Sequence, residues 1–155
     1  MSGKLPLNLA PLTERLSETD KAYIAGVFDG EGTIGYYNYR NRHESTCMVT
    51  NTDPRIMSWL MLKVGYGNVC SLKDNHHRRK HVVHHWRIGG RLRVYDFLSA
   101  IAPYLIIKKD QAQVLLDLWS TETRYNPRNE STEMRRNGIV EQLKELKRSH
   151  LAATA

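Results

Sequence analysis

The chain of 155 residues has little cysteine and no long apolar run. These two features argue against a disulfide-rich protein and against a membrane-spanning one. Two cysteines, Cys47 and Cys70, cannot form a disulfide framework, and both lie in alternating stretches typical of reduced strand residues. No run approaches the roughly 20 apolar residues that span a bilayer, and the N-terminus lacks the apolar region of a secretory signal. We therefore expect an intracellular protein, cytoplasmic or organellar, with no membrane partner.

Acidic residues are also scarce relative to basic ones. The chain has 16 Asp and Glu against 23 Lys and Arg, a formal charge of +7 and a sequence pI near 9.5. This balance favours a polyanionic partner such as a nucleic acid, although a basic surface that is merely solvated is the alternative. The length suits one domain with a proper core, and no repeat, linker or low-complexity tract divides it.

Hydrophobic periodicity and turn residues predict the order helix, two strands, helix, two strands and further helices. The first helix begins at a cap formed by Ser17 or Thr19 and ends near Gly30. The other predicted strands and helices cover residues 33–39, 45–51, 54–65, 69–73, 81–88, 92–100, 111–121 and 130–150. Residues 1–16 are expected to be an irregular lead-in, and residues 17–155 a single α+β domain whose C-terminal helices begin at about residue 109.

The segment AYIAGVFDGEG, residues 22–32, contains the most informative pattern in the chain. Small residues recur every four positions at Ala22, Gly26 and Gly30, so they line one stripe of the first helix. Each glycine costs roughly 1 kcal/mol relative to alanine in a helix, which indicates that something approaches the backbone closely. A second helix packed face to face is the obvious candidate. Glu31 lies at the negative end of the helix dipole, where a divalent cation would relieve repulsion.

Residues 24–32, IAGVFDGEG, resemble the signature of the LAGLIDADG homing endonucleases. The single copy of the motif and the length of one domain resemble the branch that acts as a homodimer. The resemblance covers roughly residues 18–120 and implies an αββαββα fold, in which a four-stranded antiparallel sheet is backed by helices. It also implies that the motif helices of two subunits pack together. The expected interface residues on this helix are Ala22, Tyr23, Gly26, Val27 and Gly30.

The same resemblance implies the catalytic residues, position by position. The last acid of the motif binds the catalytic metal in the family, so Glu31 and the main-chain carbonyl of Gly30 are the expected ligands. Glu31 stands where many members have aspartate, which places the carboxylate one methylene further out. Asn51 and Arg55, four positions apart at the end of the second strand, match a polar and a basic residue that point into the active site. Lys108 matches a lysine that the family delivers to the scissile phosphate.

Each of these residues also has a simpler interpretation from the sequence alone. Glu31 could end a helix at the surface, and Asn51 could form a turn. Arg55 and Lys108 could be solvated cations, the latter in a polar helix start together with Lys109. The glycine stripe and the basic charge favour the catalytic interpretation of Glu31.

The free face of the antiparallel sheet is the surface predicted to read DNA. Counting from Glu31, the resemblance assigns alternate residues of each strand to this face, and Arg87 is the best candidate for a bidentate contact with guanine. The third strand leaves two alternations open: Cys70, Leu72 and Asp74, or Ser71, Lys73 and Asn75. The predicted contacts are Tyr37, Tyr39, Asn41, Arg42, Glu44, Thr46, Met48, Lys73, Asn75, His77, Arg78, His85 and Arg87. A zinc site drawn from Cys70 and nearby histidines lacks a paired cysteine and is disfavoured.

The sequence therefore predicts a homodimeric, site-specific endonuclease for double-stranded DNA. We expect it to cut a long, near-palindromic site with Mg²⁺ and to leave 3′ overhangs. Mn²⁺ should substitute for Mg²⁺, whereas Ca²⁺ should support binding without cleavage. The resemblance implies intron mobility as the biological role, in the compartment that holds the host intron, and the intron's own RNA as a further partner. An RNA-binding intron maturase and a non-cleaving, sequence-specific DNA-binding regulator are the alternatives.

Overall fold

A computed structural model describes residues 9–40, 42–72, 82–122 and 129–153, with side chains described as far as residue 149. The helices are α1 (Leu12–Arg15), α2 (Glu18–Glu31), α3 (Pro54–Val64), α4 (Arg91–Ile101), α5 (Lys109–Thr121) and α6 (Glu130–Ala153). The strands are β1 (Gly32–Tyr39), β2 (Arg42–Asn51), β3 (Asn68–Leu72) and β4 (Val83–Gly89). This order confirms the predicted α+β class and the αββαββα arrangement. None of the described helices is long and apolar enough to cross a membrane.

The four strands form one antiparallel sheet in the order β1-β2-β4-β3. Ile34 pairs with Cys47, and Val49 pairs with Trp86, so these four buried residues share the face that packs against the helices. The opposite face carries exposed side chains such as Tyr37. The sheet is therefore apolar on one face and open on the other, as predicted.

Aromatic packing fixes α2 against the core. Phe28 of α2 and Trp86 of β4 both contact Phe97 of α4, each with ring centroids 5.3 Å apart. All three side chains are fully buried, and burying one such side chain contributes roughly 1.5–3 kcal/mol. The side of α2 that carries Phe28 and Ile24 therefore faces inward, and the opposite side of the helix remains at the surface.

Part of the predicted lead-in is helical rather than irregular. Leu12–Arg15 form α1, and both Leu12 and Leu16 are buried in the core. The buried carboxylate of Asp96 in α4 accepts a hydrogen bond from the Leu12 N–H at 3.0 Å and one from the Tyr66 hydroxyl at 2.8 Å. A buried carboxylate without partners is costly, so both donors stabilise Asp96, and the bond from Leu12 ties α1 to α4. The sequence around α1 has no periodicity, which is why the pattern did not predict it.

Polar contacts hold α6 on the edge strand β1. Leu143 of α6 is buried in the core. The buried carboxylate of Glu122, just after α5, accepts two hydrogen bonds from the guanidinium of Arg136, both at 3.0 Å, and these bonds raise the pKa of Arg136. Further along α6, Lys147 Nζ donates to the carbonyl oxygen of Ile34 at 2.6 Å. A buried ion pair therefore anchors a helix that the resemblance did not cover.

Replacing Glu122 by alanine should remove both hydrogen bonds from the Arg136 guanidinium to that carboxylate and leave the longer, 3.8 Å pair with Glu133. Removing one member of a buried ion pair typically costs about 3 kcal/mol, so the urea midpoint should fall clearly. The control is Glu141→Gln, which removes an exposed 2.7 Å pair with Lys144 within α6 and should leave the midpoint unchanged. Equal midpoints for Glu122→Ala and the wild type would show that this pair does not hold α6.

Candidate active site

A groove of about 790 Å³ lies between α2 and the first half of α3. The sequence-predicted residues that line it are Tyr23, Gly26, Val27, Gly30, Glu31, Asn51 and Arg55. Ala22 is exposed on the same helix, outside the lining. Five further lining residues were not predicted: Thr19, Asp20, Asp53, Ile56 and Trp59. Residues from the motif helix and from the end of β2 therefore meet at one place.

The glycine stripe is open within the chain. Gly26 and Gly30 are exposed, and a Cβ atom added at either position would meet no heavy atom within 4 Å. Gly32 differs, because a Cβ atom there would collide with the carbonyl oxygen and the ring of Phe28. The close approach that the two helical glycines predict is thus not made by any of the residues that the structure describes.

Trp59 of α3 lines the same groove as the glycine stripe and forms an apolar side of it. Its ring packs edge-on against the exposed Tyr23, with centroids 5.0 Å apart and an interplanar angle of 78°. Lys63 Nζ lies 5.8 Å from the Trp59 ring centroid and 2.9 Å from the carboxylate of Asp20, whose pKa it lowers. The Trp59 side chain is only partly buried and borders the groove.

Glu31 ends α2 with an exposed carboxylate. No described residue donates a hydrogen bond to that carboxylate. Carbonyl groups of the last helical turn lack intrahelical partners, and Gly30 belongs to that turn. A carboxylate and a main-chain carbonyl are the oxygen donors that Mg²⁺ and Ca²⁺ prefer, so the pair fits a divalent cation. Among the described residues there is no cluster of three His, Cys, Asp or Glu side chains, so one chain offers only part of a coordination shell.

A hydrogen-bonded turn joins Asn51, Asp53 and Arg55 between β2 and α3. Asn51 Oδ1 accepts the Asp53 N–H at 2.8 Å, so the turn-forming role of Asn51 is present. Asp53 caps α3 by accepting the Arg55 N–H at 2.9 Å, and its carboxylate also accepts the Arg55 Nε–H at 3.0 Å. These bonds lower the pKa of Asp53 to about 2, so it is ionised at neutral pH. The Arg55 side chain is 89% exposed, which leaves it open to an anionic ligand that competes with Asp53.

Lys108 lies beside the end of α2, although it is not one of the lining residues. Its Nζ donates to the carbonyl oxygen of Asp29, and its backbone N–H donates to the Asp29 carboxylate at 2.9 Å. Partial burial lowers the pKa of Lys108, while the nearby carboxylates of Asp29 and Glu31 oppose that shift. The ammonium group is therefore held within electrostatic range of Glu31. Asp29 was not predicted, because its role depends on a segment far away in the sequence.

Strand pairing places the described members of the predicted DNA-contacting set on the open face of the sheet. Tyr37 pairs with Glu44, and Met48 pairs with both Thr33 and Arg87, so these side chains share one face. The described members of the set are Tyr37, Tyr39, Arg42, Glu44, Thr46, Met48, His85 and Arg87. Within this set Thr46 is buried, whereas both tyrosines and both arginines are exposed.

The register of β3 decides between its two alternations. Cys70 pairs with His85, so Cys70 and Leu72 lie on the open face. Ser71 contacts His84 at 2.7 Å and belongs to the other face. The alternation that begins at Ser71, which yields the predicted contacts Lys73 and Asn75, is therefore wrong within the described strand. Five predicted contacts lie outside the described residues: Asn41, Lys73, Asn75, His77 and Arg78.

No protein-family model and no curated protein sequence matches the chain, but solved structures share its fold. The homing endonuclease I-CvuI in complex with its target has a TM-score of 0.69 at 19% identity, over 83% of this chain and 82% of that one. The homing endonuclease I-TnaI has a TM-score of 0.62 at 15% identity, over 84% and 97%. The LAGLIDADG meganuclease I-AabMI, bound to uncleaved DNA, has a TM-score of 0.62 at 14% identity, over 77% of this chain and 43% of that one.

Gly26→Ala should stabilise the isolated chain by about 1 kcal/mol, because alanine is the better helix former and its methyl group meets no atom of the chain. Gly32→Ala is the matched control and should destabilise the chain, since its methyl group collides with Phe28. Urea unfolding at a concentration where sedimentation shows monomers measures both effects. A loss of stability in Gly26→Ala as large as in Gly32→Ala would contradict the open stripe.

Proposed function

Since the chain has the fold of the LAGLIDADG homing endonucleases, we propose that it is a site-specific DNA endonuclease that acts as a homodimer. One observation carries the proposal: at the C-terminal end of α2, a carboxylate that accepts no hydrogen bond from the described residues lies beside an open glycine stripe and a lysine ammonium group. The net charge of +7 supports a nucleic acid as the substrate. I-CvuI was solved with target DNA in the presence of Ca and of Mg, which supports a divalent cation as the cofactor.

The open face of the sheet would contact double-stranded DNA. Arg42 and Arg87 are exposed cations on this face and can bind phosphates or guanine edges. On the neighbouring strand β1, Tyr39 pairs with Arg42. The exposed rings of Tyr37 and Tyr39 add broad contact surfaces to this face. A two-fold symmetric protein reads two related half-sites, so a dimer would select a long, near-palindromic sequence.

A metal site would form where the two α2 helices meet. The carboxylate of Glu31 and the carbonyl oxygen of Gly30 in each chain would hold the ion, and the second chain would add the oxygen ligands that one chain lacks. When bound, a divalent cation supplies positive charge to the reacting phosphodiester and acidifies water. We expect Mg²⁺ to act in the reaction, Mn²⁺ to replace it, and Ca²⁺ to support binding alone.

Three side chains would complete the site around the scissile phosphate. Arg55 would exchange Asp53 for a phosphate oxygen and stabilise the charge that develops in the transition state. Lys108 would place its ammonium group beside the reacting groups, where partial burial lowers its pKa and so favours release of its proton. Asn51 uses its carbonyl oxygen in the turn, so its NH₂ group would orient a water molecule. Cleavage of one bond in each strand across the minor groove would leave 3′ overhangs, and we propose intron mobility as the biological role.

Selection from a randomised double-stranded DNA library tests the proposed function directly. The purified protein is incubated with Mg²⁺ or Ca²⁺, and the cleaved and retained molecules are sequenced. A long near-palindrome that is cut with Mg²⁺ and only bound with Ca²⁺ would support the endonuclease. Specific binding without cleavage under either condition would favour a regulator. Neither binding nor cleavage would favour an intron RNA as the ligand and a maturase as the function.

Glu31→Gln should abolish cleavage while leaving DNA binding intact. The substitution keeps the size of the side chain but removes the charge that holds the cation, so we expect the single-turnover rate to fall about 100- to 1,000-fold or more. Binding in Ca²⁺ is measured in parallel by fluorescence anisotropy. The control is Glu141→Gln, the same substitution on the exposed surface of α6, which should leave both values unchanged. Wild-type cleavage by Glu31→Gln would falsify the assigned ligand.

Gly26→Leu should separate the dimer, because the larger side chain would occupy the space that a second α2 helix needs. The matched control is Gly138→Leu, since Gly138 lies in α6 with no heavy atom within 4 Å of an added Cβ atom. Sedimentation velocity should show monomers for Gly26→Leu and the wild-type dimer for Gly138→Leu. A dimer that survives in Gly26→Leu would rule out the stripe as the interface.

A further inference from the structure

Asp29 binds the segment before α5 with both its carboxylate and its main chain. The carboxylate accepts the Ile106 N–H at Oδ2, at 2.7 Å, and the Lys108 N–H at Oδ1, at 2.9 Å. The main-chain carbonyl of Asp29 accepts a hydrogen bond from Lys108 Nζ. The partners are 77 and 79 positions away in the sequence, so these bonds join the end of α2 to the start of α5.

These bonds cap two helix ends at once. The last carbonyl groups of α2 lack intrahelical partners and carry partial negative charge. The ammonium group of Lys108 donates a hydrogen bond to one of them and brings a positive charge to that end of the helix. Lys108 is also the N-cap residue of α5 and makes no capping bond with its own side chain. The N–H groups at that end lack partners and carry partial positive charge, which suits the carboxylate of Asp29. Lys108 therefore supplies a cation to the C-terminal end of α2, and Asp29 supplies a carboxylate to the N-terminal end of α5.

Little apolar packing holds the segment that contains Lys108. Ile106 is 86% exposed and Ile107 is 51% exposed, whereas Leu105, before them, is buried. The chain between Leu105 and the first turn of α5 thus depends on the bonds to Asp29 for its position. Without those bonds, the position of Lys108 relative to the end of α2, where Glu31 lies, would be set by the buried Leu105 and Gln111 on either side and would vary more.

We infer that Asp29 is a positioning residue, which fixes the ammonium group of Lys108 beside Glu31 within one subunit. This inference rests on the proposed function, since Lys108 has a reaction to serve only if the chain cleaves DNA. It also assigns different roles to Asp29 and Glu31, the two acidic residues of the motif. Both carboxylate oxygens of Asp29 already accept backbone hydrogen bonds, so Asp29 holds the lysine while Glu31 is left for the cation.

A double-mutant cycle with Asp29→Asn and Lys108→Met tests this coupling. Asparagine keeps the size of the side chain, but its NH₂ group cannot accept the second backbone N–H. We expect the single-turnover cleavage rate of Asp29→Asn to fall about 10- to 100-fold, as a misplaced catalytic group does, while DNA affinity in Ca²⁺ is unchanged. In the Lys108→Met background the same substitution should lower the rate little further, because the group that it positions is gone.

The matched control is Asp117→Asn in α5. Asp117 is exposed and accepts a hydrogen bond from Gln113 at 2.7 Å, so the substitution removes the same charge from the same region without touching the segment before α5. Its rate should equal that of the wild type. Losses from Asp29→Asn that multiply fully with those from Lys108→Met would overturn the inference, as would an equal loss of DNA affinity. If Asp29→Asn does not fold, Asp29→Glu supplies the comparison, because it keeps both acceptor oxygens and shifts them by one methylene.

Hydrogen exchange separates this inference from the proposed function, because it needs neither DNA nor cleavage. The amide protons of Ile106 and Lys108 should exchange slowly in the wild type and in Asp117→Asn, and quickly in Asp29→Asn. A wild type that cuts no DNA would end the proposed function, and the exchange rates would still decide whether Asp29 holds the segment. Exchange rates that are equal in the wild type and Asp29→Asn would overturn the inference whatever the cleavage result.

Discussion

The burial of Phe28 against Phe97 fixes the rotation of α2 about its own axis, and the candidate site depends on that rotation. A helix repeats every 3.6 residues, so once Phe28 and its buried neighbour Ile24 face the core, the stripe that contains Gly26 must face outward. The same packing determines where the helix ends. It brings Glu31 to the surface next to β1, and it turns the backbone of Asp29 toward the start of α5.

The sequence predicts those parts of the fold whose cause is local. Caps, periodicity and turn residues locate the helices and strands to within a few residues, because each signal lies inside the element that it describes. The two faces of β4 also follow, since the buried Trp86 and Ile88 flank the exposed Arg87. In β3 all five residues are exposed, so no burial pattern distinguishes one face from the other, and only pairing with β4 sets the register.

The sequence does not predict contacts between segments that are far apart along the chain. The bonds from Asp29 to Lys108 cross 79 positions, and the bond that holds α1 through Asp96 crosses 84. Both contacts use a carboxylate that accepts backbone N–H groups. In the sequence, such an acid cannot be distinguished from one that is simply exposed to solvent. The contact between α6 and Glu122 is equally hard to predict. It is polar, and the apolar stripe of α6 is weak. These contacts are visible only when the backbone path is known.

The open stripe places a thermodynamic constraint on the assembly. Gly26 and Gly30 each make the helix less stable by roughly 1 kcal/mol relative to alanine, and no contact from the described part of the chain offsets that cost. A partner helix that packs on the stripe would offset it, and would also bring two copies of Glu31 together at a pinch point. In the proposed dimer, repulsion between the two carboxylates would oppose association until a cation bound between them, so cation binding and dimer stability would be linked. Because Lys108 is bonded to α2 of its own chain, the lysine moves with Glu31 as one unit, and association need not rearrange it.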